Sequence, residues 1–468
     1  MNSGTVPSRP GTFAENSPTK SARICYPDCR LATLPLPSVD SGGEGSTQLN
    51  KQMPMPSDFK KLMAARFLFT LAVQIQTIVL GWRMYILTKD PLYLGLIGLV
   101  EAVPALGLAL YAGYIVDRSR PMLVIRRVVG VSWLSGLILL ISQLPATGVS
   151  EQVQIVALFL SSFLTGAARA FSQPAMFSIV PRIIGRDNLP RGAAWMASTH
   201  QIGSISGPAL GGLFFGWLGV SATAAIVCAI LLVAMGGLWW IQASPNPLPA
   251  PRKSESKRTE LLSGLRFVFR HPILLPALSL DMISVFFGGV TALLPIYAAE
   301  ILMVGPKGLG VLRAAPAIGA ALMSLCLTRW DIRVRAGRWL LTAVTGFGLC
   351  TLVFAISRNY LLSLVALGLS GSFDSVSMVV RMAAVQLSSP DSMRGKISAV
   401  NSIFIGSSNE LGEFESGVIA RLFGAVPAAV LGALVCLATV FTVAWLSPSL
   451  RKLNLEELRI AHEVEAQV

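Results

Sequence analysis

Charge is scarce in this chain. Of its 468 residues only 13% are Asp, Glu, Lys or Arg, against about 25% in a typical soluble domain. The mean hydropathy is +0.64 and 53% of residues are hydrophobic. The shortage excludes an ordinary water-soluble globule and makes a bilayer the solvent to expect. Histidine is rarer still, at three residues, and four of the six cysteines (Cys228, Cys326, Cys350 and Cys436) stand singly in apolar runs. That leaves neither a disulfide framework nor a zinc-type ligand spacing. Cys25 and Cys29, in CYPDC, are close enough for a ligand pair, but no second pair and no neighbouring His joins them. No metal and no cofactor are therefore expected. P-loop, paired-ligand and nucleophile motifs are missing too, so the chain does not read as an enzyme. Residues 1–57 contain no apolar core stretch and cannot be a signal peptide. They are rich in Pro, Ser and Gly and are expected either as a disordered cytoplasmic tail or as sequence upstream of a true start at Met53 or Met55, the second being favoured.

What the chain does have is apolar runs. A stretch of about 20 apolar residues crosses hydrocarbon as a helix, and twelve such spans are expected, at 62–87, 92–114, 122–143, 153–177, 193–217, 221–242, 273–298, 308–328, 337–357, 361–384, 397–420 and 425–447. The net charge of +14 is carried largely by short clusters in alternate loops, such as Arg118, Arg120, Arg126 and Arg127, or Arg329, Arg333, Arg335 and Arg338. Basic clusters between apolar runs suit lipid headgroups and not nucleic acid, and their alternation puts both termini in the cytoplasm. The polar segment 243–272 then reads as a cytoplasmic central loop between two six-helix portions, 58–242 and 273–447, with 448–468 as a cytoplasmic tail. Weak repeats agree with duplication: DPLYLG (Asp90 to Gly95) against GPKGLG (Gly305 to Gly310), and DNLPRG (Asp187 to Gly192) against DSMRG (Asp391 to Gly395). The expected fold is an all-α membrane protein with twelve transmembrane helices in two pseudo-symmetric six-helix halves, a transporter with its substrate between them.

Few charges fall inside these spans, and they draw attention for that reason. GSSNELGEFESG (Gly406 to Gly417) holds three carboxylates. At about 100° per residue, Gly406, Glu410, Glu413 and Gly417 share one stripe, with Glu415 on another side. A central carboxylate costs about 2.5–3.5 kcal/mol to insert, so this helix must turn its polar side to protein or to a wet cavity. Each Glu is then either a tie between helices or a group that binds and releases a proton as access alternates. Asp374 and Arg381, seven apart on one face of span ten, are the expected counterparts. Arg169 in span four lies at comparable depth, and Asp281 in span seven and Glu101 in span two add further polar groups, with Gln74 and Gln76 in span one. His200 in span five reads as a packing residue.

Two motifs lie outside this set. GYIVDRSRP supplies Gly113, Asp117 and Arg118 in a G-x-x-x-D-R spacing at the cytoplasmic end of span two, where an Asp past a helix C-terminus needs a partner elsewhere and can serve a gate. GSISGPALGG supplies Gly203, Gly207, Pro208, Gly211 and Gly212; glycines four apart allow close helix approach, and Pro208 predicts a bend. The first motif resembles the signature between spans two and three of the major facilitator superfamily, departing from it at Arg120, Pro121 and Met122. The second resembles the motif of proton-coupled antiporters in that superfamily, which implies export and a helix kink. LGWRMYILTKDPLYLGLIGL (Leu80 to Leu99), RAFSQPA (Arg169 to Ala175) and RGKISAVNSIFIGSSNELGEFESG (Arg394 to Gly417) resemble the enterobactin-exporter group of major facilitator efflux proteins, over nearly all of residues 58–447.

That resemblance implies a secondary active transporter of the bacterial cell inner membrane that exports a small organic molecule, with a siderophore as a candidate cargo, by proton antiport. A macrolide or multidrug efflux pump is the alternative, and a non-transporting membrane sensor or scaffold is less favoured because intramembrane charges are costly and usually functional. The expected partners are a small-molecule substrate, protons and membrane lipids, with no nucleic acid, and the chain is expected to be a monomer.

Overall fold

The computed structural model describes residues 55–185, 188–241, 257–329, 332, 334–390 and 393–465. Most of the expected N-terminal tail, with Cys25, Cys29 and Met53, and the stretch 242–256 of the central loop lie outside the described residues. The described residues form helices and no strand. In order these are α1 (Ser57–Thr88), α2 (Pro91–Gly107), α3 (Ala109–Arg118), α4 (Pro121–Ser142), α5 (Glu151–Ile184), α6 (Leu189–Trp239), α7 (Lys257–Arg270), α8 (Leu274–Gly288), α9 (Leu294–Ile296), α10 (Gly305–Leu327), α11 (Ala336–Ile356), α12 (Tyr360–Leu387), α13 (Arg394–Phe423), α14 (Ala425–Leu446), α15 (Pro448–Arg451) and α16 (Leu455–Glu465).

Local chemistry explains several boundaries. α1 stops at Lys89, which is left-handed (φ 51) and returns its N–H to the Tyr85 carbonyl. Asp90 then caps α2, its carboxylate accepting the Leu92 N–H at 2.9 Å with Pro91 in the first turn, the arrangement that satisfies a donor left over at a helix start. α6 is two helices joined at Gly219, whose φ of 80 and ψ of 179 suit glycine. The backbone stays helical through Pro208, so the sharp departure in this region is at Gly219 and not at the proline.

Among the described residues, nine helices are long and apolar enough to cross a membrane by length and composition. One of them is the 51-residue α6, with its break at Gly219. α2 is a shorter apolar helix, and α13, with its carboxylates, is not among the nine. The exterior agrees with a bilayer: Phe441, Trp445, Trp240 and Phe177 are each more than 65% exposed, an apolar surface that water would not tolerate on this scale.

Close packing depends on small residues. Gly203, Gly207 and Gly211 of α6 lie against Thr70, Gln74 and Ile75 of α1. A Cβ on Gly212 would stand 2.6 Å from the Pro306 carbonyl oxygen and 2.6 Å from the Cα of Gly310, so α6 and α10 touch backbone to backbone. α2 and α13 do the same, since a Cβ on Gly95 would lie 2.9 Å from the Phe414 carbonyl oxygen and 3.2 Å from the Cα of Gly417. In a membrane, where apolar surface has no reason to leave lipid, such approach is what holds helices together. These two contacts join helices that precede residue 242 to helices that follow residue 256. α3, by contrast, packs on α5, α2 and α4.

Candidate functional site

α13 brings its carboxylates to a place prepared by α2 and α5. Gly166 of α5 sits so close to the Glu101 carbonyl that a side chain there would collide with it. Alongside, Ser162 donates to the Ile97 carbonyl at 3.0 Å. Arg169, one turn beyond Gly166, is thereby placed to reach Glu101 on α2, to which it donates in a short ion pair. Its other amino group donates to Glu410 Oε1 on α13 at 2.9 Å. One turn earlier on α2, Gly98 leaves room that the Glu413 carboxylate occupies: a Cβ there would lie 2.9 Å from Glu413 Oε2.

One cation is thus held between carboxylates of two helices that are distant in sequence. Solvent reaches 44% of the Arg169 side chain but only 9% of Glu101 and 13% of Glu410, so the guanidinium faces accessible space while its partners are sheltered. Arg313 on α10 is the second cation whose field acts on Glu413, together with Arg169, while Glu101 repels it. The group therefore contains three carboxylates and two guanidiniums. With every member ionised it carries one net negative charge, and a single proton neutralises it. An arrangement of this kind, with sheltered carboxylates hydrogen-bonded to a solvent-reached guanidinium, can exchange a proton and change its helix–helix attraction at the same step.

The expectation that Asp374 and Arg381 serve as counterparts of the span-eleven carboxylates is corrected. Arg381 does not pair with Asp374; it forms an ion pair with Asp281 of α8, both side chains being less than 10% exposed. The reason is distance along the helix: seven residues place Asp374 and Arg381 about 10 Å apart in rise, whereas α8 packs beside α12 and presents Asp281 directly. Nor do Asp374 and Arg381 supply the partner of Glu410, which is Arg169. Glu415 lies apart from the Arg169 group, next to Ser416, with Oε1 buried and unpartnered. His200 is exposed on α6. Gln76 is fully buried and donates to Ser135 at 2.7 Å and Ser161 at 2.9 Å.

Of the expected gate, Gly113 and Arg118 lie in α3, and Arg118 donates to the Tyr114 hydroxyl with its guanidinium 4.3 Å from the ring centre. The Asp117 side chain lies outside the described residues. Gly203, Gly207, Pro208, Gly211 and Gly212 form the contact face of α6 described above. Among the described residues, no group of three His, Cys, Asp or Glu side chains forms that could hold a metal ion.

Sequence reasoning missed Arg313 altogether, because a lone Arg in span eight has no helical-face partner to signal it. It also missed a set of contacts that tie early helices to late ones: the Tyr85 hydroxyl donates to Glu300, Arg421 stands 3.5 Å from Asp90, and Lys307 lies over the Trp217 ring at 5.3 Å. Asp90 had been visible only as part of a repeat.

The family described as transmembrane secretion effector matches residues 53–467. Relatives named enterobactin exporter EntS, from Escherichia coli O127:H6 and Citrobacter koseri, are 25% and 24% identical over 350 residues, covering 73% of this chain and 80% of theirs. Among solved structures, the chain is similar in fold to a POT family transporter in complex with a thioalcohol-conjugated peptide (TM-score 0.68, 12% identity, 84% of this chain and 96% of that one). It is also similar to a bacterial homologue of the iron transporter ferroportin in an inward-facing state (TM-score 0.64, 15% identity, 85% and 99%).

Proposed function

Because this chain belongs to the transmembrane secretion effector family, whose kinship is with membrane transporters of the major facilitator type and not with enzymes, we propose that it exports a small organic molecule by proton antiport, with Arg169, Glu101, Glu410 and Glu413 as the coupling group. Twelve spans follow if α6 is counted as two at Gly219 and if α2 with α3, and α13, are each counted as one. The basic loops support a topology with both termini in the cytoplasm, and the bacterial relatives support an inner-membrane location.

The observation that carries the coupling proposal is Arg169 bridging Glu101 and Glu410. A carrier that rocks around a central site must make and break attraction between its two portions, and this bridge joins them. The contacts Tyr85–Glu300, Asp90–Arg421 and Gly212–Gly310 all fall toward helix ends that the proposed topology puts outside. They support a form closed outside and reached from the cytoplasm, as in the inward-facing ferroportin homologue. Protonation at Glu410 or Glu413 from outside, and release within, would alternate the bridge as cargo moves out.

A siderophore is the proposed cargo class, on the strength of the relatives named enterobactin exporter. The test compares culture-medium metabolites with and without the protein under iron-limited and iron-replete growth, and vesicle transport with and without a protonophore. An altered siderophore profile and protonophore-sensitive flux are expected. An unchanged siderophore profile with a shift in another compound would replace the cargo by a drug-like one, and protonophore-insensitive flux would remove proton antiport.

A further inference from the structure

Gln76 of α1 grips the same helix that carries Arg169. It is fully buried, and its side-chain nitrogen donates to Ser135 of α4 at 2.7 Å and to Ser161 of α5 at 2.9 Å, with Thr165 of α5, at 3.2 Å, sharing the same two protons. Ser161, Thr165 and Arg169 follow one another at four-residue intervals, so they lie along one side of α5 on successive turns. The grip therefore falls on the two turns that lead into Arg169. On its α2 side, the same stretch of α5 is held by Ser162 and Gly166.

Stability does not explain this amide. Each of the three hydroxyls already has a backbone carbonyl for its own proton: Ser135 donates to the Ser161 carbonyl at 2.7 Å, Ser161 to that of Ser135 at 3.1 Å, and Thr165 to that of Ser161 at 3.0 Å. None of them is left unsatisfied without Gln76. Its own Oε1, meanwhile, is buried with no hydrogen-bond partner, an arrangement that costs stability. A leucine would fill the space without that cost. What the amide adds is a polar tie between α1 and the α4–α5 pair, in apolar packing that otherwise does little to fix one helix against another.

α1 also has its own connection to the late helices. Nine residues beyond Gln76, about 14 Å along an unbroken helix, Tyr85 donates to Glu300. α5 reaches the late helices through Arg169 and Glu410. Gln76 belongs to the first of these helices and is bonded to the second.

We propose that Gln76 is a positioning residue that makes α1 and α5 move as one body, so that the Tyr85–Glu300 contact and the Arg169–Glu410 bridge open and close in a single step. The inference rests on the reading that the two portions rock about the Arg169 bridge. Contacts that parted independently would admit a form open outside while the bridge keeps its inward arrangement, and protons could then leak without cargo. A shared body excludes that form.

The test reads conformation and not transport. It uses the purified full chain in detergent, with its own cysteines replaced and a single cysteine placed at Gln173, an exposed position one turn beyond Arg169. The rate of its reaction with a water-soluble maleimide reports access to the bridge from the cytoplasmic side. Tyr85→Phe removes the outer hydrogen bond and is expected to slow this labelling several-fold. Adding Gln76→Leu is expected to reduce the slowing to less than twofold, because the change at Tyr85 no longer reaches α5. Should Gln76→Leu fail to fold, Ser161→Ala with Thr165→Val cuts the same tie from the α5 side and is expected to act alike. No effect of Tyr85→Phe, or an effect of full size after the tie is cut, would overturn the proposal. Neither cargo nor a pH gradient enters the measurement, so protonophore-insensitive flux would remove proton antiport and leave this inference standing.

Discussion

At the scale of single residues, Arg169 has more carboxylate around it than it can neutralise, even with the help of Arg313. That imbalance makes a specific prediction. Glu410→Gln or Glu413→Gln keeps shape and hydrogen bonding but removes the surplus charge, so folding should persist while export loses its dependence on an imposed pH gradient. Vesicle uptake measured alongside thermal stability checks this, and wild-type gradient dependence in both variants would make the carboxylates helix ties only. The Asp281–Arg381 pair is expected to behave differently, since both partners are buried. Asp281→Ala strands a guanidinium in low dielectric and should cost about 3–5 kcal/mol of stability. The double change Asp281→Leu with Arg381→Met should recover most of that loss in thermal unfolding, because neither charge then remains. The stripe of Glu410 and Glu413 was legible from helical spacing alone. Their partners were not, because the choice between Arg169 and Arg381 depends on which helix lies alongside.

At the scale of elements, α2 is built of small residues on the face that meets α13, and that explains how a helix bearing three carboxylates can exist in a bilayer. Its charges are turned to protein. Gly95→Val should drive α2 away from α13, since even a Cβ would press on the Phe414 carbonyl at 2.9 Å. The reporter is a cysteine at Leu94, which is only 5% exposed: labelling by a membrane-impermeant maleimide from outside should increase several-fold when Gly95→Val is added. Unchanged labelling would mean the helices absorb the side chain without parting. The glycines of α6 were readable as a close-packing motif, but their partners α1 and α10 were not, and the break lies at Gly219 because a left-handed φ distorts a helix more than a proline that keeps helical angles.

At the scale of the whole molecule, side chains are buried from the start of α1 onward. Met55 is 6% exposed and Phe59 fully buried, the latter meeting Trp195 edge to face with ring centres 6.5 Å apart. Removing residues 1–52 should therefore leave membrane insertion and transport intact, whereas removal through residue 60 takes away a core aromatic and should lower the melting temperature and the yield of folded protein. Size-exclusion profiles and thermal unfolding of the two truncated proteins check this. Loss of folded protein in the shorter deletion would show that the first 52 residues contribute to stability.

Solvent and secondary structure were settled by the amino-acid sequence itself, because hydropathy acts on each segment independently: a run of about 20 apolar residues seeks hydrocarbon and must satisfy its own backbone there by forming a helix. Family membership was legible for a related reason, since GSSNELGEFESG keeps its residues contiguous. Pairing belonged to tertiary structure. Arg169 with Glu410, Arg381 with Asp281, and Tyr85 with Glu300 are separated by 241, 100 and 215 positions, and charge attraction between spans carries no signature in sequence order. For the Arg169 group, the close backbone approach at Gly95 and Gly166 and the room left at Gly98 for the Glu413 side chain decided which opposite charges came within reach.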